Sequence, residues 1–175
     1  MRRVAVLAGL AALAVAGSAA GGRSAAPPCR GGNLTGVFAA VYGSAGAGNI
    51  SYDVRVRNRS NAACFVTGIP QIRLLGKRGA PLPTKVIPVP AGTATAVRVV
   101  LRPGAYAAAT ARFSPDIPGP GEPQRGRCEP LTYTMRVTPA ANGSLVVPAK
   151  PPTSVCEHGT IQLTVLVAGR HGPRS

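Results

Sequence analysis

Four cysteines, Cys29, Cys64, Cys128 and Cys156, follow an apolar leader, and this constrains the chain more than any other feature. An exported chain with an even number of cysteines reads as a disulfide framework. The spacings are wide, at 35, 64 and 28 residues, and no Cys-x-x-Cys pair occurs. Neither a zinc ribbon nor a thioredoxin-like redox site has the spacing it needs. Four cysteines allow three pairings. Cys29–Cys64 with Cys128–Cys156 is favoured because it closes two short loops independently, and each closure stabilises by roughly 3–4 kcal/mol on the chain-entropy model.

The leader has three parts. Met1, Arg2 and Arg3 are the positive start, Val4 to Val15 is an apolar run, and Ser18, Ala19 and Ala20 are small. That is the pattern of a secretory signal peptide cleaved near Ala20. The apolar run is shorter than the ~20 residues of a membrane span, although a retained N-terminal anchor is the alternative. The expected organisation is a signal peptide over 1–20, a linker over 21–28, one domain over 29–168 and a flexible tail over 169–175. The expected location is secreted or extracytoplasmic.

The domain reads as strands. In Ile50–Arg57, Ile50, Tyr52, Val54 and Val56 alternate with Ser51, Asp53, Arg55 and Arg57. A period of two places the first set inward and the second in water. Leu131–Thr138 repeats the pattern, with Leu131, Tyr133, Met135 and Val137 inward. Ile161, Leu163, Val165 and Val167 form a third run, which Leu166 interrupts. Further strands are expected at Thr35–Tyr42, Cys64–Thr67, Gln71–Leu75, Lys85–Val89, Thr95–Leu101, Ala105–Phe113 and Ser144–Val147.

Turn residues separate these segments. They include Asn58-Arg59-Ser60-Asn61, Gly76-Lys77-Arg78-Gly79, Pro90-Ala91-Gly92, Arg102-Pro103-Gly104 and Asn142-Gly143. Ser114–Arg127 is expected as an irregular exposed loop and Pro148–Thr153 as a stiff connector. Short strands with frequent turns predict an all-β, antiparallel sandwich of about 8–9 strands.

The formal net charge is +15, or 15 − 2 = +13 without Arg2 and Arg3. Such a chain is drawn to anionic surfaces. Arg55, Arg57, Arg98, Arg102, Arg112 and Arg136 fall on outward positions and are the candidate anionic-surface binders. A polar outer face is also what a one-sided sheet requires, and Arg outnumbers Lys 17 to 3, as a GC-rich coding sequence would produce. The expected partners are an anionic cell-wall polymer, a membrane surface or an envelope protein. Nucleic acid is disfavoured by the leader, by the lack of Trp and by only seven aromatic residues.

The catalytic inventory is thin. The acids are Asp53, Asp116, Glu122, Glu129 and Glu157, and the histidines are His158 and His171. No Gly-x-Ser-x-Gly nucleophile motif occurs. No catalytic residue, metal site or cofactor is assigned, and a non-enzymatic role is expected. The competing expectation is a hydrolase of envelope polymers that uses His158 with a carboxylate from the Pro/Gly-rich loop. Asn33, Asn49, Asn58 and Asn142 begin Asn-x-Ser/Thr sequons, and turn chemistry accounts better for Asn58 and Asn142.

Several stretches carry a family resemblance. They are Cys29, the strand through Asn58-Arg59-Ser60, Cys64-Phe65-Val66-Thr67-Gly68-Ile69-Pro70, Leu101-Arg102-Pro103-Gly104-Ala105-Tyr106-Ala107, Cys128-Glu129-Pro130 and Val155-Cys156-Glu157-His158-Gly159. From Cys29 to Val167 the chain resembles the secreted actinobacterial domain-of-unknown-function family 4232. The resemblance implies an extracytoplasmic immunoglobulin-like sandwich with two disulfides. It implies no activity and no catalytic residues. An additional strand-like piece, Lys85–Val100, departs from the family pattern.

Overall fold

A computed structural model describes residues 25–89, 98–139 and 143–174. The leader, the Pro90-Ala91-Gly92 turn and Asn142 lie outside the described residues. The described chain is all-β and sandwich-like. Its strands are β1 (Leu34–Ala40), β2 (Ile50–Asn58), β3 (Cys64–Thr67), β4 (Gln71–Leu75), β5 (Lys85–Pro88), β6 (Arg98–Leu101), β7 (Tyr106–Phe113), β8 (Thr132–Thr138), β9 (Leu145–Thr153), β10 (Thr160–Leu163) and β11 (Val167–Ala168). The eleven strands among the described residues exceed the expected 8–9, partly because the Ile161–Val167 run is divided into β10 and β11.

One sheet runs β4-β8-β9-β1-β2-β7-β10-β5, with β11 also on β7, and β3 and β6 form a second, two-stranded sheet. Most pairs are antiparallel. The exceptions are β1 with β9 and β10 with β5. The strand β1 therefore has an antiparallel neighbour on one side and a parallel one on the other.

The alternation in β2 gives the core its centre. Tyr52, Val54 and Val56 are buried, and they meet Phe38 from β1 and Ala107, Ala109, Ala111 and Phe113 from β7. Phe38, Tyr52 and Phe113 stack as a tilted trio with centroids 4.6, 5.3 and 6.0 Å apart. The Tyr52 hydroxyl donates to the Pro151 carbonyl at 3.1 Å, so the ring is buried without orphaning its polar end. Burial raises the Tyr52 phenol above its ordinary pKa, and a hydrogen bond with Thr153 partly offsets this. The Ala-rich segment is a strand, as expected. Its small inward side chains leave room for the three rings.

Both favoured disulfides are present, Cys29–Cys64 and Cys128–Cys156. The first ties the entering chain to β3, beside a hydrogen bond from Cys29 N–H to the Phe65 carbonyl. The second ties the end of the long loop to the turn before β10. Asn58 is fully buried. Its amide donates to the carbonyls of Ala62 and Leu101, and its side-chain oxygen accepts from Ser60. The turn reading of Asn58 therefore holds, and the buried amide is no glycan acceptor.

The structure differs from expectation where strands change phase. Thr132 was expected outward and Leu131 and Tyr133 inward, but Thr132 is buried and the other two are half-buried. A register shift in the β8–β9 pairing between Thr132 and Thr134 reverses the alternation there. The run Ile161–Val167 breaks in the same way. Leu163 pairs with Ala111 and Val167 with Ala108, so four steps on one strand oppose three on the other. The extra residue lets Val165 and Leu166 both be buried. Pro148–Thr153 is not a connector but the second half of β9. Its prolines are tolerated because pairing there is sparse, confined to Pro148 with Thr134, Ala149 and Lys150 with β1, and Thr153 with Thr132.

Candidate functional site

Two buried carboxylates organise the polar chemistry of the domain. The first is Asp53 on β2. Alternation places it on the outer face, as expected, yet it is buried. The C-terminal segment covers it. Gly172 N–H donates to Asp53 Oδ1 at 3.0 Å, and His171 Nδ1 lies 2.8 Å from Oδ2. The Arg55 guanidinium is 3.4 Å from the same oxygen. The segment expected as a frayed tail is thus docked on the sheet through residue 173. The Thr110 hydroxyl donates to the Pro173 carbonyl at 2.7 Å, and Gly169 N–H donates to the Tyr106 carbonyl at 2.9 Å. Gly172 makes the approach possible, since a Cβ there would lie 2.3 Å from the Thr110 nitrogen.

Beside this clamp is a cavity of about 390 Å³, within the range of small-molecule sites. The β1–β2 hairpin loop forms one wall, with Tyr42, Ser44 and Asn49. The strands β2 and β7 form the floor, with Asp53 and Arg112. His171 and Arg174 of the C-terminal segment form the opposite wall. Asp53 is already matched by Arg55, His171 and Gly172. Among the described residues, neither Arg112 nor Arg174 has an ion pair. Ser44 is no free nucleophile, because its hydroxyl donates to Val41 and Ser51 carbonyls and accepts from Ser51 N–H.

The second carboxylate is Glu122, in the Pro/Gly-rich loop expected to be exposed. The loop is irregular, but Glu122 is buried. It accepts from Gly119 N–H at 2.6 Å, Glu157 N–H at 2.9 Å and His158 N–H at 2.5 Å. Glu157, His158 and Gly159 are consecutive left-handed residues, with φ of 57°, 57° and 74°. This turn aims the Glu157 and His158 N–H groups at one carboxylate, a backbone concavity that suits an anion. Glu122 is the anion this chain supplies for itself.

Burial raises the Glu122 carboxyl, but the N–H donors of His158, Gly119 and Glu157 and the nearby imidazole outweigh it, and the net shift is downward. Glu129 goes the other way. Burial lifts it first, then the charge of Glu122 and a hydrogen bond with it, against a smaller lowering by His158. His158 Nδ1 is 3.7 Å from Glu122 and 3.8 Å from Glu129. One ligand atom from each of these three residues lies within 4.8 Å of the others. Both oxygens of Glu122 are engaged by backbone N–H groups, so the trio is built as a clamp more than as a set of open ligands.

The six expected arginines do not form one patch. Arg55 and Arg57 on β2 and Arg112 on β7 share adjacent strands. Arg136 lies on β8 opposite Arg73 of β4, with β9 and β1 between it and β2. Arg98 is on the smaller sheet, with its guanidinium 4.0 Å from the Phe65 ring centroid, and Arg102 follows it in a loop. Arg57 stacks on Tyr106, whose ring Arg170 also approaches. Sequence reasoning missed His171 and Arg174, because nothing local in a Gly/Pro/Arg tail signals docking. The one available signal was Asp53, a lone acid inside the best strand of a basic chain.

The fold and its two clamps define an all-β domain cross-linked by two disulfides. Residues 29–166 match the family described as a domain of unknown function (DUF4232). The chain belongs to that family. No curated protein and no solved structure matches it. Two disulfides suit an oxidising, extracytoplasmic environment, and among the described residues no helix is long and apolar enough to cross a membrane.

Proposed function

We propose that this is a non-enzymatic module of the cell envelope, exported by its leader, that holds an anionic surface polymer against the outer face of β2 and β7. The observation that carries the reading is the cation excess at the Asp53 cavity. Its one acid is internally matched, while Arg112 and Arg174 face it without an ion-pair partner among the described residues. Unmatched guanidiniums beside a concave wall favour an anionic guest. Retention of the purified protein on isolated cell-wall polymer, eluted with a salt gradient, is the test. The double variant Arg57→Gln/Arg112→Gln should elute at lower salt. Retention that ignores salt, or no retention, removes the reading.

A hydrolase is the second reading, favoured by the convergence of His158 with Glu122 and Glu129. Two carboxyls shifted in opposite directions are a pattern used for acid and base roles. On this reading, His158→Ala abolishes turnover of an envelope polymer and leaves the melting curve unchanged. Against it, the cavity includes none of the three residues.

A further inference from the structure

We propose that the Asp53 cavity binds the phosphate group of a phosphorylated sugar, with Arg112 and Arg174 on the phosphate and Tyr42 against the sugar ring. This rests on the reading of the outer face as an anion-binding surface and names the chemistry it recognises. The cations stand on two walls that the chain brings together only when the C-terminal segment docks. Arg112 comes from β7 and Arg174 from the segment pinned by Asp53. Guanidiniums that line one cavity from two different elements suit the charge and acceptor oxygens of a phosphate.

His171 adds a third group. Its Nδ1 is held by Asp53, which fixes the ring, and Nε2 has no partner among the described residues. A ring anchored through one nitrogen presents the other in a set direction. Asp53 does not repel the guest, because Arg55, His171 and the Gly172 N–H already surround its carboxylate.

The cavity volume of about 390 Å³ leaves room for a guest larger than a free phosphate. Tyr42 lines the cavity and is fully exposed, an unusual position for a large ring on a chain with few aromatics. An aromatic ring with a hydroxyl at one end offers an apolar platform and a polar handle, the combination a sugar face requires. Asn49 supplies further capacity. Its amide donates to Ala47, which leaves its side-chain oxygen without a partner among the described residues.

Isothermal titration of the purified protein tests the proposal with four probes: glucose 6-phosphate, its methyl phosphodiester, inorganic phosphate and glucose. Glucose 6-phosphate should bind more tightly than inorganic phosphate, and glucose should not bind. Arg112→Gln and Arg174→Gln should each weaken glucose 6-phosphate by about tenfold or more. Tyr42→Ala should weaken glucose 6-phosphate and leave inorganic phosphate unchanged. Arg112, Arg174 and Tyr42 are exposed, and a melting curve for each variant confirms that the fold is kept. Equal binding of the diester assigns the site to phosphates within a chain, and monoester-only binding assigns it to terminal or free phosphates. No saturable binding of either phosphorylated probe, or arginine variants that bind like the parent, overturns the proposal. Polymer retention is read separately. Phosphate binding without retention would keep this site and remove the polymer.

Discussion

The Asp53 clamp and the Glu122 clamp are built alike and end differently. Each buries one carboxylate and gives it backbone N–H donors from a distant segment. Each has a histidine from that segment beside it. At Glu122 the concavity is filled by the chain's own anion, and a disulfide closes the loop next to it. At Asp53 the carboxylate is matched with cations to spare, and a cavity stays open beside it. In the first arrangement both carboxylate oxygens are already engaged by backbone N–H groups. The second leaves Arg112 and Arg174 beside an open cavity with no ion pair among the described residues.

Four changes break or sharpen this contrast. The largest effect should come from Cys128→Ser/Cys156→Ser, which frees the loop end of the Glu122 clamp and should cost roughly 3–4 kcal/mol in denaturant unfolding. Phosphate-probe binding should survive where the fold does. An equal loss of both would mean that the two clamps are not independent.

Glu122→Gln comes next, at about 2 kcal/mol, because three N–H groups then lose a charged acceptor. It should also change the pH dependence of melting. The Glu122 carboxyl is lowered in the folded state, so its contribution is fully present above its unfolded pKa of about 4.3 and is lost as pH falls through the folded value. Glu129 is raised, so its contribution is present below the unfolded value and is lost as pH rises through the folded one. Glu122→Gln should flatten the acid limb and, by removing the neighbouring charge, shrink the opposing effect of Glu129. An unchanged acid limb would deny Glu122 its structural role.

Gly172→Ala should cost about 1 kcal/mol or less in global stability, since undocking involves a terminal segment. Its Cβ would collide with the Thr110 backbone, so the segment should lift and expose Gly169–Arg174 to proteolysis. The opened cavity should lose its phosphate-probe affinity. The smallest effect belongs to Thr132→Val. The Thr132 hydroxyl is buried without a partner among the described residues, and its replacement should be neutral or stabilise by up to ~1 kcal/mol.

Legibility in the sequence followed locality. Ile50–Arg57 read as a strand because every second residue reports one face, and β3 and β4 were legible to their ends between turn residues. The phase of Thr132 and the split between β10 and β11 were not legible, because a one-residue bulge belongs to the pairing and leaves no mark on either strand alone. The latter half of β9 was hidden by its prolines. At the candidate site, Arg55, Arg57 and Arg112 were recognised as outward cations. His158 with a loop carboxylate was recognised as a possible pair. The docking of His171 on Asp53 was not, since the two residues are 118 positions apart.

By itself the sequence determined an all-β domain with the pairing Cys29–Cys64 and Cys128–Cys156 favoured, a strongly positive surface and a poor set of catalytic groups. Composition, spacing and short-period alternation are local quantities, and they carry that much. Only the tertiary structure decided which charges are spent. Asp53 and Glu122 look like ordinary surface acids in sequence, and both are consumed by backbone N–H groups from segments far along the chain. Whether a charge is matched or left over depends on what folds back onto it, and at the Asp53 cavity Arg112 and Arg174 have no ion pair among the described residues.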